Sequence, residues 1–452
     1  MIKTTGKVDL AWYGDDFTGA AAVMEVLAFA GLPAMLFLDI PTPTQLARYP
    51  DLRAIGIAST ARSKSPAWMD RELPAVFDAL AALSPAIAHY KICSTLDSSP
   101  HIGSIGRAIE IAANHFVPEV VPVLVAAPQM RRYQVYGHLF AGLGDVVYRL
   151  DRHPVMARHP VTPMTESDVA RHIAKQSDRL DISLASLEDL ASESLVSEPG
   201  DQTRIRAVTL DCVDLISEAQ VGRFLWHNRT RNPFVVGSQG VEYALVAHWI
   251  ATGVLTPAEA PRSAGRAKGM VTVSGSVSPT TADQIAWSRD NGFACIPFDA
   301  TSACADVATL AAEKVRVTKM ALTALAQGQD PLIYTAGGPD DPAVARFKQA
   351  ASGKDIGAIN ETIGTALGEV LATTLKQGNI RRAVVSGGDT SGYATRQLGI
   401  FALSALAPTI PGAALFKAHA VGEMDGLELA LKGGQMGSPD YFGWIRDGGG
   451  AR

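Results

Sequence analysis

A glycine-rich segment near the C-terminus has the residue types of a phosphate-binding loop. The β-branched run 382–386 leads into Gly387, Gly388, Asp389 and Thr390. Apolar residues then recur at helical spacing, at Leu398, Phe401 and Ala405. Because glycines let backbone N–H groups approach a phosphate and a helix N-terminus favours anions, the segment predicts a strand, a phosphate-binding loop and a helix. The same residues also suit a plain turn in which Asp or Thr caps the helix, and the local pattern leaves that alternative open.

Two other strand-like runs end in similar loops. The run 270–273 is followed by Ser274, Gly275 and Ser276. The run 427–432 is followed by Gly433 and Gly434. Loops of this kind can share one triphosphate. The chain contains no Gly-x-x-x-x-Gly-Lys-Ser/Thr segment and no Gly-x-Gly-x-x-Gly after a predicted strand. These absences exclude a P-loop enzyme and weaken an assignment to nicotinamide or flavin enzymes.

Paired carboxylates near the N-terminus could act as an acid or a base. Asp15 and Asp16 follow the strand-like run 8–13 and precede a helical stretch at 20–30. A carboxylate in this position can accept a proton from a substrate hydroxyl. The alternative is structural, with Asp16 or Thr18 as the N-cap of the helix, and the residues alone leave both interpretations open.

Strands and helices alternate through the chain and predict an α/β fold. We expect two domains, each a largely parallel sheet with helices on both faces, with a ligand cleft between them. The N-terminal domain is placed at 1–254, a linker with prolines and basic residues at 255–268, and the C-terminal domain at 269–452. Helices are expected at 68–83, 105–114, 241–250 and 282–289, and along an apolar stripe from Ile359 to Leu375.

In a parallel sheet, ligands bind beyond the carboxyl ends of the strands, and this rule selects further residues. Arg62 comes after the third predicted strand, while Lys91, Cys93 and Ser94 end or follow the fourth. A lysine at the end of a buried strand is costly unless it meets an anion. We therefore expect these residues to converge with the N-terminal carboxylates on one anion-binding crevice.

Composition and charge exclude several classes of protein. The 452 residues are 47% hydrophobic and 19% charged, with a net charge of −5, so the chain can build a core and lacks the basic surface of a nucleic-acid-binding protein. The four cysteines have no Cys-x-x-Cys spacing, which indicates neither a zinc site nor a disulfide framework. Without a signal peptide or a run of about 18 apolar residues, we expect a cytoplasmic protein that does not bind membranes. The oligomeric state is open, with a homodimer as one candidate.

Several motifs together resemble the four-carbon acid sugar kinase family. They are Gly14–Ala20, Gly137-His138-Leu139, 163–168, Ser274-Gly275-Ser276, Gly387–Thr390 and Lys432-Gly433-Gly434, in the family's order and nearly from end to end. The resemblance implies that the N-terminal domain binds a sugar acid such as threonate, erythronate or 3-oxo-tetronate. It implies that the C-terminal domain binds ATP, with Mg²⁺ across the phosphates. We expect no metal-binding side chains in the protein itself.

The resemblance also implies roles for individual residues. The substrate-binding set comprises Asp15, Asp16, Arg62, Lys91, Ile92, Cys93, Ser94 and His138. The ATP-binding set comprises Ser274, Gly275, Ser276, Gly387, Gly388, Asp389, Thr390, Gly433 and Gly434. Arg62 and Lys91 suit the carboxylate of a sugar acid. We favour Asp16 as the catalytic base, with Asp15 orienting it or binding a substrate hydroxyl.

Two segments depart from the family pattern. Where the family has Lys-x-Asp-Ser-Thr-x-Arg-Gly, this chain has Cys93 and Asp97 in place of the Asp and the Arg. Asp97 would repel a substrate carboxylate, so either the acid binds in another orientation or the substrate differs. The segment 432–437, with Lys-Gly-Gly-Gln-Met-Gly for the usual Lys-Ser-Gly-Gly-Phe-Gly, resembles the branch whose implied substrate is the branched acid 3-oxo-isoapionate. A non-catalytic sensor of the same fold is the alternative function, and an oxidoreductase is a weaker one.

Overall fold

The computed structural model of the chain describes residues 7–192, 203–259 and 262–452. The chain divides into two compact units, Met1–Ala258 and Glu259–Arg452. The division lies within the predicted linker 255–268, of which residues 260 and 261 lie outside the described residues. No helix in the described part is long and apolar enough to cross a membrane.

The first unit is an α/β domain with strands and helices in near-regular alternation. Its elements are β1 Leu10–Gly14, α1 Phe17–Phe29, β2 Ala34–Phe37, α2 Pro43–Ala47, β3 Ala54–Ala58, α3 Pro66–Ala82, β4 Ile87–Lys91, α4 Ile105–Phe116, β5 Val121–Leu124, β6 Arg132–Val135, β7 His138–Leu143, β8 Val146–Arg149, α5 Val169–Ala174, β9 Leu180–Ala185, α6 Leu187–Ser192, β10 Ile205–Leu210, α7 Leu215–Asn228, β11 Phe234–Gly237 and α8 Gly240–Ala251. The main sheet runs β2-β3-β1-β4-β11-β5-β10-β9 with every neighbouring pair parallel. Strands β6, β7 and β8 form a separate antiparallel sheet, which the sequence analysis does not anticipate.

The second unit is also an α/β domain. Its elements are β12 Val271–Ser274, α9 Pro279–Asp290, β13 Phe293–Pro297, α10 Val307–Ala326, β14 Asp330–Tyr334, α11 Pro342–Ala350, α12 Ile356–Gly378, β15 Arg382–Ser386, α13 Gly388–Gln397, β16 Ile400–Ala407, β17 Leu415–Ala420, β18 Glu428–Lys432 and α14 Tyr441–Arg446. The strand order is β13-β14-β12-β15-β18-β17-β16. The sheet is parallel from β13 to β18, whereas β17 pairs antiparallel with both of its neighbours.

The predicted α/β fold and its largely parallel sheets are confirmed. The expected helices appear as α3, α4, α8 and α9, and the apolar stripe from Ile359 to Leu375 lies buried on α12. The helix predicted to continue through Phe401 and Ala405 is wrong, because α13 ends at Gln397 and both residues lie in β16. Gly399, whose φ is +64°, separates the two elements in a conformation that favours glycine.

Local sequence explains where the helices of the first unit begin. The side chains of four polar residues accept a hydrogen bond from a backbone N–H of the first helical turn: Asp16 for α1, Ser65 for α3, Ser104 for α4 and Asp214 for α7. Such an N-cap contributes about 1 kcal/mol to helix stability. Each cap stands in the connection between a strand and the helix that follows it, so polar residues collect beyond the carboxyl ends of the strands.

Strands β1 and β3 position the N-terminal carboxylates. They pack closely because one of the contacting residues is a glycine. Gly56 on β3 pairs with Trp12 on β1, and the indole ring of Trp12 covers the glycine so closely that a Cβ there would overlap it. Trp12 is fully buried, and its Nε1 donates to the carbonyl oxygen of Ala20 at 3.1 Å. Contact between β1, β3 and α1 therefore depends on Gly56.

We predict that Gly56→Ala lowers the free energy of unfolding by about 1–3 kcal/mol, since overpacking forces Trp12 to shift. Urea unfolding followed by circular dichroism measures the change. In a Trp12→Leu background the same substitution should cost less, because the smaller side chain leaves room for the methyl group. Equal costs in the two backgrounds would contradict the packing explanation.

Candidate functional site

The two carboxylates after β1 have different environments. Asp15 is buried, and its backbone N–H donates to the carbonyl oxygen of Lys91 at 2.9 Å. The Asp16 side chain is 28% exposed, and its Oδ1 accepts from the N–H of Gly19 at 2.8 Å. Asp16 is thus the N-cap of α1, as the structural alternative expects. Capping occupies one oxygen and leaves an accessible carboxylate at the edge of the sheet.

Arg62 joins both carboxylates. Its Nε and Nη2 donate to the two oxygens of Asp15 at 3.2 and 2.6 Å, and Nη2 also donates to Oδ1 of Asp16 at 2.8 Å. The backbone N–H of Arg62 donates to the carbonyl oxygen of Asp15 at 2.8 Å. The predicted convergence of these three residues is therefore observed, and most of the guanidinium is engaged by the protein's own carboxylates.

Burial and charge act in opposite directions on this group. Burial raises the pKa of the Asp15 carboxyl above its usual range, and the positive charge of Arg62 opposes that rise. Burial alone would lower the pKa of Arg62, but Asp15 and Asp16 raise it well above its ordinary value. Arg62 consequently remains charged, and Asp15 depends on that charge to be ionised.

Lys91 brings a second cation to the same place. It is 2% exposed, and its Nζ donates to the carbonyl oxygen of Ile92 at 2.7 Å. Among the described residues no carboxylate lies within ion-pair distance of this ammonium. A Cβ on Gly19 would lie 2.8 Å from Lys91 Nζ and would overlap Asp16 Oδ1, so these polar groups meet above a glycine. A buried ammonium without a carboxylate is suited to an anionic ligand.

The segment after Lys91 continues the site. Ile92 is buried, Ser94 is half-buried, and the Sγ of Cys93 lies 3.1 Å from the Oγ1 of Thr95. The Cys93 thiol is within electrostatic range of two guanidiniums, Arg62 and Arg132. The hydrogen-bond contact of the Cys93 side chain is thus with Thr95, within its own segment.

Arg132 is a candidate that the sequence analysis misses. It begins β6, its Nη1 donates to the carbonyl oxygen of Met130 at 3.0 Å, and burial lowers its pKa. Its Nε is buried without a hydrogen-bond partner in the described part of the chain. The adjacent Arg131-Arg132 pair follows the fifth strand, but no sequence pattern indicates which of the two arginines points inward.

His138 and Asp97 belong to contacts of their own. The Nδ1 of His138 lies 2.9 Å from the Oγ of Ser167, and within the described chain no hydrogen bond links His138 to the cluster of Asp15 and Arg62. Asp97 accepts a hydrogen bond from the hydroxyl of Thr162 and lies 3.8 Å from Nδ1 of His159. Among the described residues, His138 therefore makes its side-chain hydrogen bond with Ser167 and not with the other predicted substrate residues.

The three predicted loops of the second unit do come together. Ser274, Ser386 and Lys432 end the adjacent strands β12, β15 and β18 at the same level. The N–H of Gly275 donates to the Ser386 carbonyl oxygen at 3.0 Å, and the N–H of Gly387 donates to the Lys432 carbonyl oxygen at 2.9 Å. The carboxyl ends of these three strands are thus lined by Ser274–Ser276, Gly387–Thr390 and Gly433–Gly434.

The start of α13 decides between a capped turn and an anion-binding loop. The N-cap residue is Gly387, with φ +123° and no side-chain capping bond, so the N-cap position itself is held by a glycine. A Cβ on Gly388 would meet only open space. An N-cap glycine at this place supplies no capping side chain of its own, which suits backbone N–H groups that approach an anion.

Close contacts around this loop also fit a phosphate-bearing ligand. A Cβ on Gly275 would overlap the hydroxyl of Thr390, and one on Gly434 would overlap that of Ser276. The hydroxyl of Ser386 is buried and has no hydrogen-bond partner among the described residues. Glycine at both positions lets the hydroxyl groups approach, and Ser386 retains an unused donor. Within the described ranges, no cluster of three His, Cys, Asp or Glu side chains could hold a metal ion.

Comparison with known proteins agrees with this division of roles. A family model described as a sugar-binding N-terminal domain matches residues 10–245, and one described as a nucleotide-binding C-terminal domain matches residues 271–442. A 3-oxo-isoapionate kinase from Paraburkholderia graminis is 44% identical, covering 97% of this chain and 94% of that protein. A 3-oxo-tetronate kinase from Pseudomonas savastanoi pv. phaseolicola is 29% identical, covering 96% of this chain and 95% of that protein.

A solved structure supports the fold. The crystal structure of a Salmonella typhimurium protein, provisionally described as a tRNA synthase, has a TM-score of 0.75 and 25% sequence identity. It covers 99% of this chain and 98% of that protein.

The buried pair of Asp15 and Arg62 generates a pH prediction. Arg62→Met leaves Asp15 buried without its cation, and breaking a buried pair in this way costs roughly 3–5 kcal/mol. A carboxyl whose pKa is higher in the folded chain than in the unfolded chain destabilises the fold as pH rises through that range. We therefore expect Arg62→Met to melt well below the wild type at pH 8, with the difference narrowing towards pH 5.

Differential scanning fluorimetry across this pH range measures the difference. The control is Arg62→Met combined with Asp15→Asn, which has no carboxyl at position 15 to titrate, so its own melting temperature should change less between pH 5 and pH 8 than that of Arg62→Met. A pH-independent difference in the single variant would contradict the assignment to Asp15.

Proposed function

The chain belongs to the four-carbon acid sugar kinase family, and from this premise we propose that it transfers the γ-phosphate of ATP to a hydroxyl of 3-oxo-isoapionate or a closely related branched sugar acid. The observation that carries the proposal is the buried Lys91 ammonium, which has no carboxylate partner in the described chain and lies beside the accessible carboxylate of Asp16. A sugar acid has the matching groups, namely a carboxylate that can pair with Lys91 and hydroxyls that can donate to the carboxylate of Asp16.

The choice of acid follows from similarity. The relative that is 44% identical is a 3-oxo-isoapionate kinase, whereas the 3-oxo-tetronate kinases among the curated relatives are 26–29% identical. Pockets that recognise similar acids differ in few contacts, so the more similar relative is the better guide to substrate. Threonate, erythronate and 3-oxo-tetronate are the alternatives within the same class.

In the proposed sugar-acid site, the carboxylate of the substrate pairs with Lys91. Arg62 is a weaker candidate for that contact than the sequence analysis expects, because it already bonds Asp15 and Asp16. Arg132 supplies a further cation near Cys93. A positively charged crevice of this kind attracts the carboxylate of a sugar acid.

Asp16 is the proposed catalytic base. Its carboxylate is accessible, whereas both oxygens of Asp15 bond Arg62. Arg62 holds Asp16 Oδ1 in place, and Asp15 positions Arg62. Asp16 can then accept the proton of the attacking hydroxyl as the bond to the γ-phosphate forms.

The nucleotide is proposed to bind at the loops after β12, β15 and β18. The N–H groups at the start of α13, together with the hydroxyls of Ser274 and Ser276, can donate to phosphate oxygens. Mg²⁺ bound across the phosphates would neutralise part of their charge. Neither the non-catalytic sensor nor the oxidoreductase gains support, since the curated relatives are kinases.

The direct test is ADP formation from MgATP with a panel of acids: 3-oxo-isoapionate, 3-oxo-tetronate, threonate and erythronate. We expect the highest kcat/KM with 3-oxo-isoapionate. A higher value with a four-carbon acid would overturn the substrate assignment, and ADP formation with none of the acids would overturn the proposed reaction.

We predict that Asp16→Asn lowers kcat by roughly 10²-fold to 10⁴-fold with a smaller change in ATP affinity, because the proton acceptor is lost. Asn caps helices as well as Asp does, so the variant should keep α1 and isolate the chemical role. Asp214→Asn is the matched control, since Asp214 caps α7 through an equivalent 2.8 Å bond to the N–H of Ser217. Wild-type turnover by Asp16→Asn would leave Asp16 with the capping role alone.

We predict that Gly388→Val raises the dissociation constant for ATP at least about tenfold, as its side chain would fill the open space at the start of α13. Binding of the sugar acid should be unchanged. Gly392→Val is the control, because Gly392 lies one turn further along α13 and its Cβ would also meet nothing within 4 Å. Calorimetric titration that gives equal ATP affinities for both variants and the wild type would reject the loop as the phosphate site.

A further inference from the structure

Lys432 is a buried cation at the edge of the proposed nucleotide site. It ends β18, its side chain is 1% exposed, and its Nζ donates to the carbonyl oxygen of Gly433 at 3.1 Å. Among the side chains that the structure describes, which do not include that of Asp389 on α13, no carboxylate lies within 4.0 Å of this nitrogen. An ammonium has three N–H donors, so the bond to Gly433 leaves donors for a ligand. Burial of such a charge is costly unless an anion compensates it.

Two aromatic rings lie near the Lys432 ammonium. Its Nζ lies 5.9 Å from the ring centroid of Tyr441 and 5.8 Å from that of Phe442, both on α14. The Tyr441 hydroxyl donates to the carbonyl oxygen of Ala413 at 2.6 Å. Burial lowers the pKa of Lys432 to about 8. Aromatic rings stabilise a cation only partly, so the site favours a stronger anionic partner.

The neighbouring strand contributes a second unused donor. Ser386 on β15 pairs in register with Lys432, and its hydroxyl is buried without a hydrogen-bond partner among the described residues. The other charged residues of β15 and β18 are Arg382 and Glu428. They lie at the amino ends of the two strands, away from Lys432, and form an ion pair there. At the carboxyl ends, a lysine and a serine therefore stand beside the start of α13.

We propose that the Lys432 ammonium, assisted by the Ser386 hydroxyl, binds a phosphate group of the nucleotide. The proposal rests on the nucleotide site of the proposed function and adds the cation that the glycine loops lack. The backbone connects it directly to that site, because the carbonyl oxygen of Lys432 accepts from the N–H of Gly387 and the next residues are Gly433 and Gly434. Backbone N–H groups orient a phosphate, and a lysine adds a full positive charge.

The proposal has a consequence for pH. A phosphate favours the charged lysine, so the lysine has a higher pKa in the complex than in the free protein. Nucleotide affinity is then constant while free Lys432 is charged and falls as pH rises through about 8, by about tenfold per pH unit. Among the described side chains near Lys432, Tyr441 on α14 and Ser386 on β15 both carry hydroxyls, which have no charge when protonated.

The test is calorimetric titration with ADP and with adenosine, using wild type, Lys432→Met and Lys432→Arg. Lys432→Met should lose roughly 10-fold to 100-fold in affinity for ADP while keeping its affinity for adenosine, because only the phosphate contact is removed. Lys432→Arg should keep most of the ADP affinity and lose the decline between pH 7.5 and 9.5, since arginine does not titrate there. Lys417→Met, an exposed lysine on β17, is the control and should match the wild type.

The outcomes separate the two proposals. Absence of ADP binding by the wild type would overturn the proposed nucleotide site itself. If the wild type binds ADP and Lys432→Met binds it equally well, Lys432 is not a phosphate ligand although the nucleotide site stands. Equal losses for ADP and adenosine would assign Lys432 a purely structural role and would also overturn the proposal. If Lys432→Met does not fold, a wild-type ADP affinity that stays flat up to pH 9.5 would still reject it.

Discussion

The buried contact between Asp15 and Arg62 fixes the carboxyl end of the first unit's sheet. The N–H of Arg62 donates to the carbonyl oxygen of Asp15, and the N–H of Asp15 donates to that of Lys91, so the ends of β3, β1 and β4 are joined through the backbone as well as through the ion pair. Removing each charge from water costs several kcal/mol, about as much as their attraction returns. The pair therefore contributes geometry rather than net stability. Arg62 also bonds Oδ1 of Asp16, and both Asp16 Oδ1 and Lys91 Nζ lie close to Gly19.

Each of the two units has a buried lysine at the end of a strand, in similar surroundings. In each, a lysine ends an inner strand of the sheet, and its Nζ donates to the carbonyl oxygen of the following residue, Ile92 after Lys91 and Gly433 after Lys432. A backbone carbonyl satisfies one donor of the ammonium without neutralising its charge. The charge thus stays available to an external anion at the carboxyl end of a parallel sheet, where ligands of such folds bind. A paired carboxylate would have stabilised each lysine but would have competed with the ligand.

Much of this arrangement follows from sequence because it depends on topology. Apolar strands and polar caps predict the sheets, and the carboxyl-end rule predicts that Asp15, Arg62 and Lys91 converge. Side-chain partners do not follow in this way. Nothing in the sequence indicates that Arg62 bonds both carboxylates, or that Arg132 rather than Arg131 has a buried guanidinium nitrogen. Segment 398–405 misleads for another reason, since a short apolar run fits both helical and strand periods and only the antiparallel pairing of β16 with β17 decides between them.

At position 97 this chain has an aspartate where the family pattern has an arginine, so the sign of the charge is reversed. The residues that contact Asp97 in the structure change how this substitution is interpreted. By itself, Asp97 would repel a substrate carboxylate. In the structure it accepts a hydrogen bond from Thr162 and lies 3.8 Å from a nitrogen of His159, so its charge is directed into the segment 159–162. Segment 159–162 is not among the predicted substrate-binding residues. It nevertheless supplies the hydroxyl and the imidazole that Asp97 contacts. On the proposed assignment, Lys91 recognises the substrate carboxylate, and because the charge of Asp97 has partners of its own, an aspartate at position 97 is compatible with an acidic substrate.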